Sequence, residues 1–411
     1  MPQHNTSTGL FSGRSVPRHA FDTQAAAYPN VHVLRGRAAA LDAQPLLAQL
    51  ARNSGQTGEA DSLGYLLTTP NTVEKTPYVL TIGSRGGHHA EPTGAVSLFE
   101  YRSAGLSTRV FFTADWAGRR SVLAPPMLRA QTAAIAARAL IQRGAHFVQI
   151  LFSETHHSEE ELRSREGHLT HHAAVPPDGF AEQTIADEFR IPPSSRIQCQ
   201  WALREREIPA YLQLLPTFDA TLARIGQRTR SNLRYYRRRA EIDLGAHFVA
   251  TPTISLDEFL VFNRECTYAV PEPIAIHRYR TLSAFPNIAF RGVRDRHRRW
   301  LSLVGVRHQG TFVEIDWQMN RDDLPSRSLG IVMRSYLIDH EIACGRTRLY
   351  IEGGTPQPIA RSFLTHRVAE LSVKRESAYI RTLTRLVPWV FPAKNYIGQT
   401  LVHPDLHWKS W

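Results

Sequence analysis

Sliding the chain along itself by 201 residues brings two segments into register without a gap. Phe111 to Trp116 (FFTADW) falls on Phe312 to Trp317 (FVEIDW), Gly144 falls on Gly345, and Val148 to Ile150 (VQI) falls on Leu349 to Ile351 (LYI). Identity is sparse, but the order of elements agrees, so the chain is built from two copies of one unit. In each copy an alternating strand, Gly94 to Arg102 (GAVSLFEYR) or Trp300 to His308 (WLSLVGVRH), precedes a second strand that ends in Asp-Trp. Period-two patterning with β-branched and aromatic residues marks both as strands. A Pro-containing loop follows, then a helix of about five turns closed by a glycine, Gly144 or Gly345, where a C-cap is expected. A short apolar strand, HFVQILF or TRLYIE, completes a β-β-α-β unit.

Two such units need two cores, and 411 residues with 42% apolar side chains can fill both. The expected organisation is a tail at 1–28, an N-terminal domain at 29–190, a C-terminal domain at 191–387 and an extension at 388–411. The segment His156 to Phe180, rich in His, Glu, Pro and Gly, reads as a connector. No stretch approaches the roughly 20 apolar residues that cross a bilayer, and the N-terminal segment lacks the apolar run of a secretory signal. Cys199, Cys266 and Cys344 are far apart, without metal-ligand or redox spacing. Reduced, buried thiols in a cytoplasmic protein are therefore expected. The formal charge is +12, and lysine appears only at Lys75, Lys374, Lys394 and Lys409, so nearly all of the cation is arginine. Arginine's planar fork suits phosphates and carboxylates, which fits a coenzyme, a nucleotide-linked donor, tRNA or an anionic lipid.

A β-β-α-β unit with a special loop before its helix resembles the core of the GNAT acyltransferases, here twice over. The implied fold is α/β (α+β), two tandem GNAT-like domains, each a mixed, mainly antiparallel sheet flanked by helices. The family's loop, R/Q-x-x-G-x-G/A, holds the pyrophosphate of coenzyme A on backbone amides. The second copy offers Arg327-Ser328-Leu329-Gly330-Ile331-Val332, which keeps the Arg and first Gly and has Val332 in place of the final small residue. Physical chemistry supports the same reading, because a helix N-terminus presents unpaired N–H groups and partial positive charge to an anion. Ser326, Arg327, Ser328, Leu329, Gly330 and Ile331 are thus the candidate cofactor-binding residues. The alternative is an ordinary helix start with Ser326 or Ser328 as N-cap. The first copy has Ala124-Pro125-Pro126-Met127-Leu128-Arg129 at this place, with no glycine and two prolines that lack N–H donors. Such asymmetry resembles the FemAB-like double-domain proteins, in which one copy keeps the donor site.

A further resemblance, to acyltransferases linked to exopolysaccharide and cellulose biosynthesis, rests on the arginine-rich run Ile225 to Arg239. Leu222, Ile225, Thr229, Leu233, Tyr236 and Ala240 recur at helical spacing and should face the core. Arg230, Arg234, Arg237 and Arg238 then lie on other faces, available to an anion or simply solvated. Acyl transfer needs a proton acceptor and an oxyanion donor. The strands Thr311 to Gln318 and Thr347 to Glu352 supply Glu314, Asp316, Glu352 and Tyr350 as catalytic candidates. Alternation predicts Glu314, Asp316 and Gln318 on one face. The Asp-Trp pair recurs in the first copy, which points Asp316 toward a structural role. Glu352-Gly353-Gly354-Thr355 resembles the glycine-rich ending of the equivalent strand in that family, with Pro356, Gln357 and Arg361 where a basic residue is sought.

His171-His172 through Asp178-Gly179 is two residues too long for the His-His-x-x-x-Asp-Gly signature, and His340-Glu341 lacks the second His of H-E-x-x-H. No metal site is expected from His156, His157, His168, His171 and His172. The expected reaction moves an acyl group from acyl-CoA, acetyl-CoA foremost, to an amine or hydroxyl of a small molecule, sugar or cell-envelope precursor. Two other readings are compatible: transfer from aminoacyl-tRNA, and a non-catalytic GNAT-like module that binds nucleic acid or a partner protein through the arginine helix.

Overall fold

The computed structural model describes residues 31–54, 75–83, 91–103, 106–113, 121–152, 180–190, 198–284, 287–309, 311–324, 328–351, 359, 364–382 and 409–410. Along the chain run β1 (Val31–Arg35), α1 (Arg37–Asp42), α2 (Gln44–Asn53), β2 (Lys75–Gly83), β3 (Pro92–Ser103), β4 (Leu106–Thr113), β5 (Val122–Leu123), α3 (Arg129–Gln142), β6 (Phe147–Phe152) and α4 (Phe180–Phe189). There follow β7 (Cys199–Gln213), α5 (Phe218–Ala223), α6 (Gln227–Leu244), β8 (His247–Val249), α7 (Leu256–Arg264), α8 (Glu272–Ala284), β9 (Ile288–Arg294) and β10 (Trp300–Gln309). The last are β11 (Phe312–Asn320), α9 (Leu329–Ala343), β12 (Arg348–Ile351), β13 (Leu364–Arg375) and β14 (Lys409–Ser410). The predicted tail, the His-rich connector up to Phe180 and nearly all of the extension after 388 lie outside the described residues.

The strands form a ladder in the order β1-β2-β3-β4-β6-β13-β7-β12-β11-β10-β9-β8, with β5 on β3 and β14 on β7. Both units of the repeat are present within it. The β3–β4 hairpin is antiparallel, α3 crosses over, and β6 returns parallel to β4. In the second unit β10 and β11 pair antiparallel, α9 crosses over, and β12 returns parallel to β11. Parallel neighbours need such a crossover because a tight turn cannot join them. The chain is a mixed α/β protein built on two tandem β-β-α-β units. Gly144 and Gly345 close the two crossover helices at φ of 93° and 76°. In both, the following N–H reaches five residues back, Ala145 to Leu140 and Arg346 to Glu341, which requires the left-handed residue that glycine supplies.

Each crossover helix packs on its own core. Leu80, Leu98, Val148 and Ile150 meet the alanine-rich α3, whereas Val304, Val306, Val313 and Ile315 meet Val332, Met333 and Leu337 of α9. A further cluster of Phe259, Phe290, Trp300, Leu303, Trp317 and Met319 joins α7 to β9, β10 and β11. The cores do not part at one point near residue 190. Strand β13 lies between β6 and β7, antiparallel to both, and Cys199, Trp201, Ala369, Leu371 and Val373 belong to the N-terminal core.

Strict alternation along β11 fails at a β-bulge. Gly305 pairs with Trp317 and Val306 with Ile315, so Asp316 is the extra residue. A Cβ at Gly305 would stand 2.4 Å from the Trp317 ring, so glycine is what lets the bulged strand close. The bulge sends Val313 and Ile315 to the α9 core and Trp317 and Met319 to the aromatic cluster. Gln318 consequently turns under α9, while Glu314 and Asp316 remain together with Arg307.

Candidate functional site

Helix α9 begins without an ordinary cap. Ser328 occupies the N-cap in a left-handed conformation, φ 48° and ψ 48°, and its side chain makes no capping hydrogen bond. The Ile331 and Val332 amides donate to the Ser328 carbonyl at 2.8 and 3.2 Å, and those of Leu329 and Gly330 have no backbone acceptor among the described residues. Unpaired N–H groups at a helix start are an anion-binding geometry. Ser326 and Arg327 lie outside the described residues.

Under this start sits a set of neutral polar groups. Gln318 Nε2 donates to the Gly330 carbonyl at 3.2 Å and to Asn320 Oδ1 at 3.0 Å, and Ser302 Oγ donates to Asn320 Oδ1 at 2.8 Å. A Cβ at Gly330 would meet Asn320 Nδ2 at 3.4 Å and Gln318 Nε2 at 3.5 Å. Strand β12 accompanies β11 only from Phe312 to Ile315, while β11 runs on to Asn320. Beyond Ile315 that edge has no neighbouring strand among the described residues.

The first unit closes the corresponding places. Arg129, at the start of α3, is 3% exposed and its Nε donates to the Ala124 carbonyl at 3.1 Å, so its side chain folds back into the loop. Leu128 N–H bonds the Pro125 carbonyl at 2.8 Å in a short 3-10 turn. Where β4 leaves β6, Thr113 Oγ1 accepts from Leu151 N–H at 2.6 Å and donates to the Gln149 carbonyl at 3.3 Å, bridging the strands.

The carboxylates of β11 are buried rather than presented. Arg307, with a fully buried side chain, ion-pairs with Glu314 at 3.6 Å and with Asp316. Tyr350 stands beside Glu314 in the parallel register and is half-buried, its ring 5.3 Å from that of Tyr211 and 5.7 Å from that of Phe312. Glu352 and the glycine run after it, with Pro356, Gln357 and Arg361, lie outside the described residues. At the far end of α9 a second charged cluster escaped sequence reasoning. Glu341, 1% exposed, receives His308 Nε2 at 3.2 Å, with Arg291 at 3.6 Å and Arg346 at 3.8 Å. Burial alone would raise the Glu341 carboxyl, but the His308 hydrogen bond and the charges of His308, Arg291 and His340 hold it below its ordinary value.

The arginine helix is α6. Leu222 and Ile225 just before it, and Leu233 and Ala240 on it, are buried, while Thr229 and Tyr236 are half-buried. Its arginines do not act alike. Arg234 pairs with Asp219 at 2.6 Å; Arg237 bridges to Asp339 of α9 at 2.9 Å and to Glu241 at 3.0 Å, and lies 4.3 Å over the Tyr336 ring. Arg230, half-buried, and Arg238, exposed, make no ion pair among the described residues. Gln318 and Asn320 gain their place from the bulge, for which Gly305 was the only cue in the sequence.

Among the described residues no cluster of His, Cys, Asp and Glu could hold a metal, and no helix is long and apolar enough to cross a membrane. No protein-family profile and no curated protein matches the chain. Solved structures do. L-PGS from Bacillus licheniformis is similar over 84% of this chain and 94% of its own, at 10% identity and a TM-score of 0.45. A tandem GNAT protein from the clavulanic acid biosynthesis pathway aligns over 84% and 99%, at 11% identity and a TM-score of 0.43. FemX aligns over 76% and 95%, at 8% identity and a TM-score of 0.40.

Proposed function

We propose that the chain is a GNAT-type acyltransferase that takes its acyl group from acyl-CoA, bound at the start of α9, and delivers it to an amine or hydroxyl. The observation that carries this reading is the contrast between the two helix starts. In the second unit the Leu329 and Gly330 amides have no backbone acceptor among the described residues and start the helix over Gln318 and Asn320, whereas in the first unit Arg129 folds into the loop. Ser326, Arg327 and Ser328 complete the pyrophosphate cradle, with Arg327 adding a charge-assisted bond, while Ile331, whose amide is already bonded to the Ser328 carbonyl, drops out of the expected set. The thioester then runs along the edge of β11 that has no neighbouring strand among the described residues, where backbone N–H groups can stabilise the oxyanion.

In the reaction the acceptor's lone pair forms the new C–N or C–O bond, the C–S bond breaks, and coenzyme A leaves as a thiolate that takes a proton. Glu352 is the residue we assign to receive the acceptor's proton, and Tyr350 the residue that returns one to the thiolate. Glu314 and Asp316, committed to Arg307, hold β11 in place. The acceptor class is a small molecule, sugar or cell-envelope precursor. Calorimetric titration with coenzyme A tests the reading, with saturable heat expected and with free thiol released from acetyl-CoA over a panel of amines and alcohols. Absence of heat, together with salt-sensitive retention of charged tRNA on filters, would replace acyl-CoA with an aminoacyl-tRNA donor.

A further inference from the structure

Most deeply placed arginines among the described residues are matched to an acceptor. Arg138 reaches the Glu188 carbonyl at 2.9 Å and its carboxylate at 3.5 Å, Arg204 meets both oxygens of Glu370 at 2.9 Å, Arg307 holds Glu314 and Asp316, and Arg129 bonds a carbonyl. Arg334 is different. It lies on α9 four residues beyond Gly330, on the same side of the helix. Its Nε, like those of Arg138, Arg204 and Arg307, is sealed from water with no hydrogen-bond partner, but unlike them it makes no ion pair among the described residues. Burial pushes its guanidinium down to about 10, with no opposing charge among the described residues to restore it. The residue as a whole is only half-buried.

A desolvated cation without a counterion among the described residues disfavours the folded state. An incoming oxyanion would satisfy it, and four residues of helix rise place it about 6 Å deeper than the amides of the first turn. That depth is where the acceptor, not the donor's pyrophosphate, would sit. We propose that Arg334 is a substrate-binding residue that receives a carboxylate or phosphate of the acceptor, which makes the acceptor an acidic small molecule or an acidic precursor. This rests on the acyl-CoA reading for which substrate is meant, but the oxyanion site itself does not.

The test uses the full chain, inorganic phosphate and acetate as probes, and thermal unfolding as the readout. Wild type should be stabilised saturably by both probes. Arg334→Met should lose that response while unfolding no earlier than wild type in probe-free buffer, because a buried uncompensated charge has been removed. Arg334→Lys should retain a weakened response, and Arg52→Ala, on the exposed face of α2, the full one. Coenzyme A titrations of wild type and Arg334→Met should agree within twofold. A response unchanged in Arg334→Met, or a large drop in its probe-free melting temperature with the response intact, would overturn the site. Loss of coenzyme A affinity in Arg334→Met would move the oxyanion to the donor and sink the acceptor assignment. If no variant binds coenzyme A yet the probe response still depends on Arg334, the donor reading fails and the anion site stands.

Discussion

Replacement of Gly330 separates the fold of α9 from its proposed occupant. A Cβ there would stand 3.4 Å from Asn320 Nδ2 and 3.5 Å from Gln318 Nε2, which is ordinary contact, and the backbone is not in the left-handed region. Gly330→Ala should therefore fold, with stability unchanged or raised by up to about 1 kcal/mol through helix propensity. Gly330→Asp adds a carboxylate in the first turn, which interacts favourably with the helix dipole by about 0.3–1 kcal/mol. The same carboxylate faces the amides assigned to the pyrophosphate. Two unit charges about 4 Å apart repel by about 4 kcal/mol at an effective dielectric of 20, roughly a thousandfold in affinity. Denaturant midpoints and coenzyme A calorimetry on both variants give the two quantities separately. The expected pattern is intact folding in both, a modest loss of affinity for the alanine variant and no measurable binding for the aspartate variant. A well-folded Gly330→Asp protein that binds coenzyme A as wild type does would refute the placement of the donor. Unfolding of both variants would refute the reading of this glycine as an opening rather than a packing position.

In the first unit the counterpart residue should behave in the opposite way. Arg129→Ala should lower unfolding stability by about 1.5–3 kcal/mol, the range for a hydrogen bond to a charged group, with coenzyme A affinity unchanged. Buried His277 is held neutral, its pKa lowered to about 4 by burial and then by the charges of Arg37 and Arg278. Its folded value lies below the unfolded one, so it has no effect above about pH 6.5 and removes up to roughly 3 kcal/mol as pH falls toward 4. His277→Gln should flatten the acid limb of a stability-against-pH series, and an unchanged limb would count against this assignment. Burial pushes the Cys199 thiol up to about 11 and that of Cys266 to about 12, while Cys344 is exposed. A disulfide reagent at about pH 8 should label one thiol quickly in the native protein and three after unfolding; rapid labelling of all three would contradict the packing.

The repeat was legible because its markers are local. Gly144 and Gly345 end helices for a steric reason that any sequence displays, and the apolar stripe through Leu233 and Ala240 follows helical spacing. What escaped was non-local or depended on one inserted residue. The bulge at Asp316 reverses the faces of everything after it, and period-two alternation carries no sign of an extra residue. Arg129 reads as surface by its charge, yet a proline loop leaves it the Ala124 carbonyl to bond inside. The unpaired amides above Gln318 could be anticipated from Gly330, but the carboxamides beneath them could not, since their direction is set by the bulge. Arg237, expected to serve an anion, is instead held by Asp339, a partner about a hundred residues away in sequence.

Placing β13 between β6 and β7 has a consequence for how the molecule is made. Synthesis completes β6 at Phe152, but the strand that fills its open side ends at Arg375. At bacterial or eukaryotic elongation rates this interval lasts on the order of 10–45 seconds. Throughout it the apolar edge of the nascent N-terminal half has no covering strand, and closing so long a loop makes the final pairing a slow, high-contact-order step. A ribosome-bound chain halted near residue 200 should consequently be protease-sensitive and chaperone-dependent, and in the finished protein the two halves should melt together, because β6 of the first half takes its second neighbour, β13, from the far end of the chain.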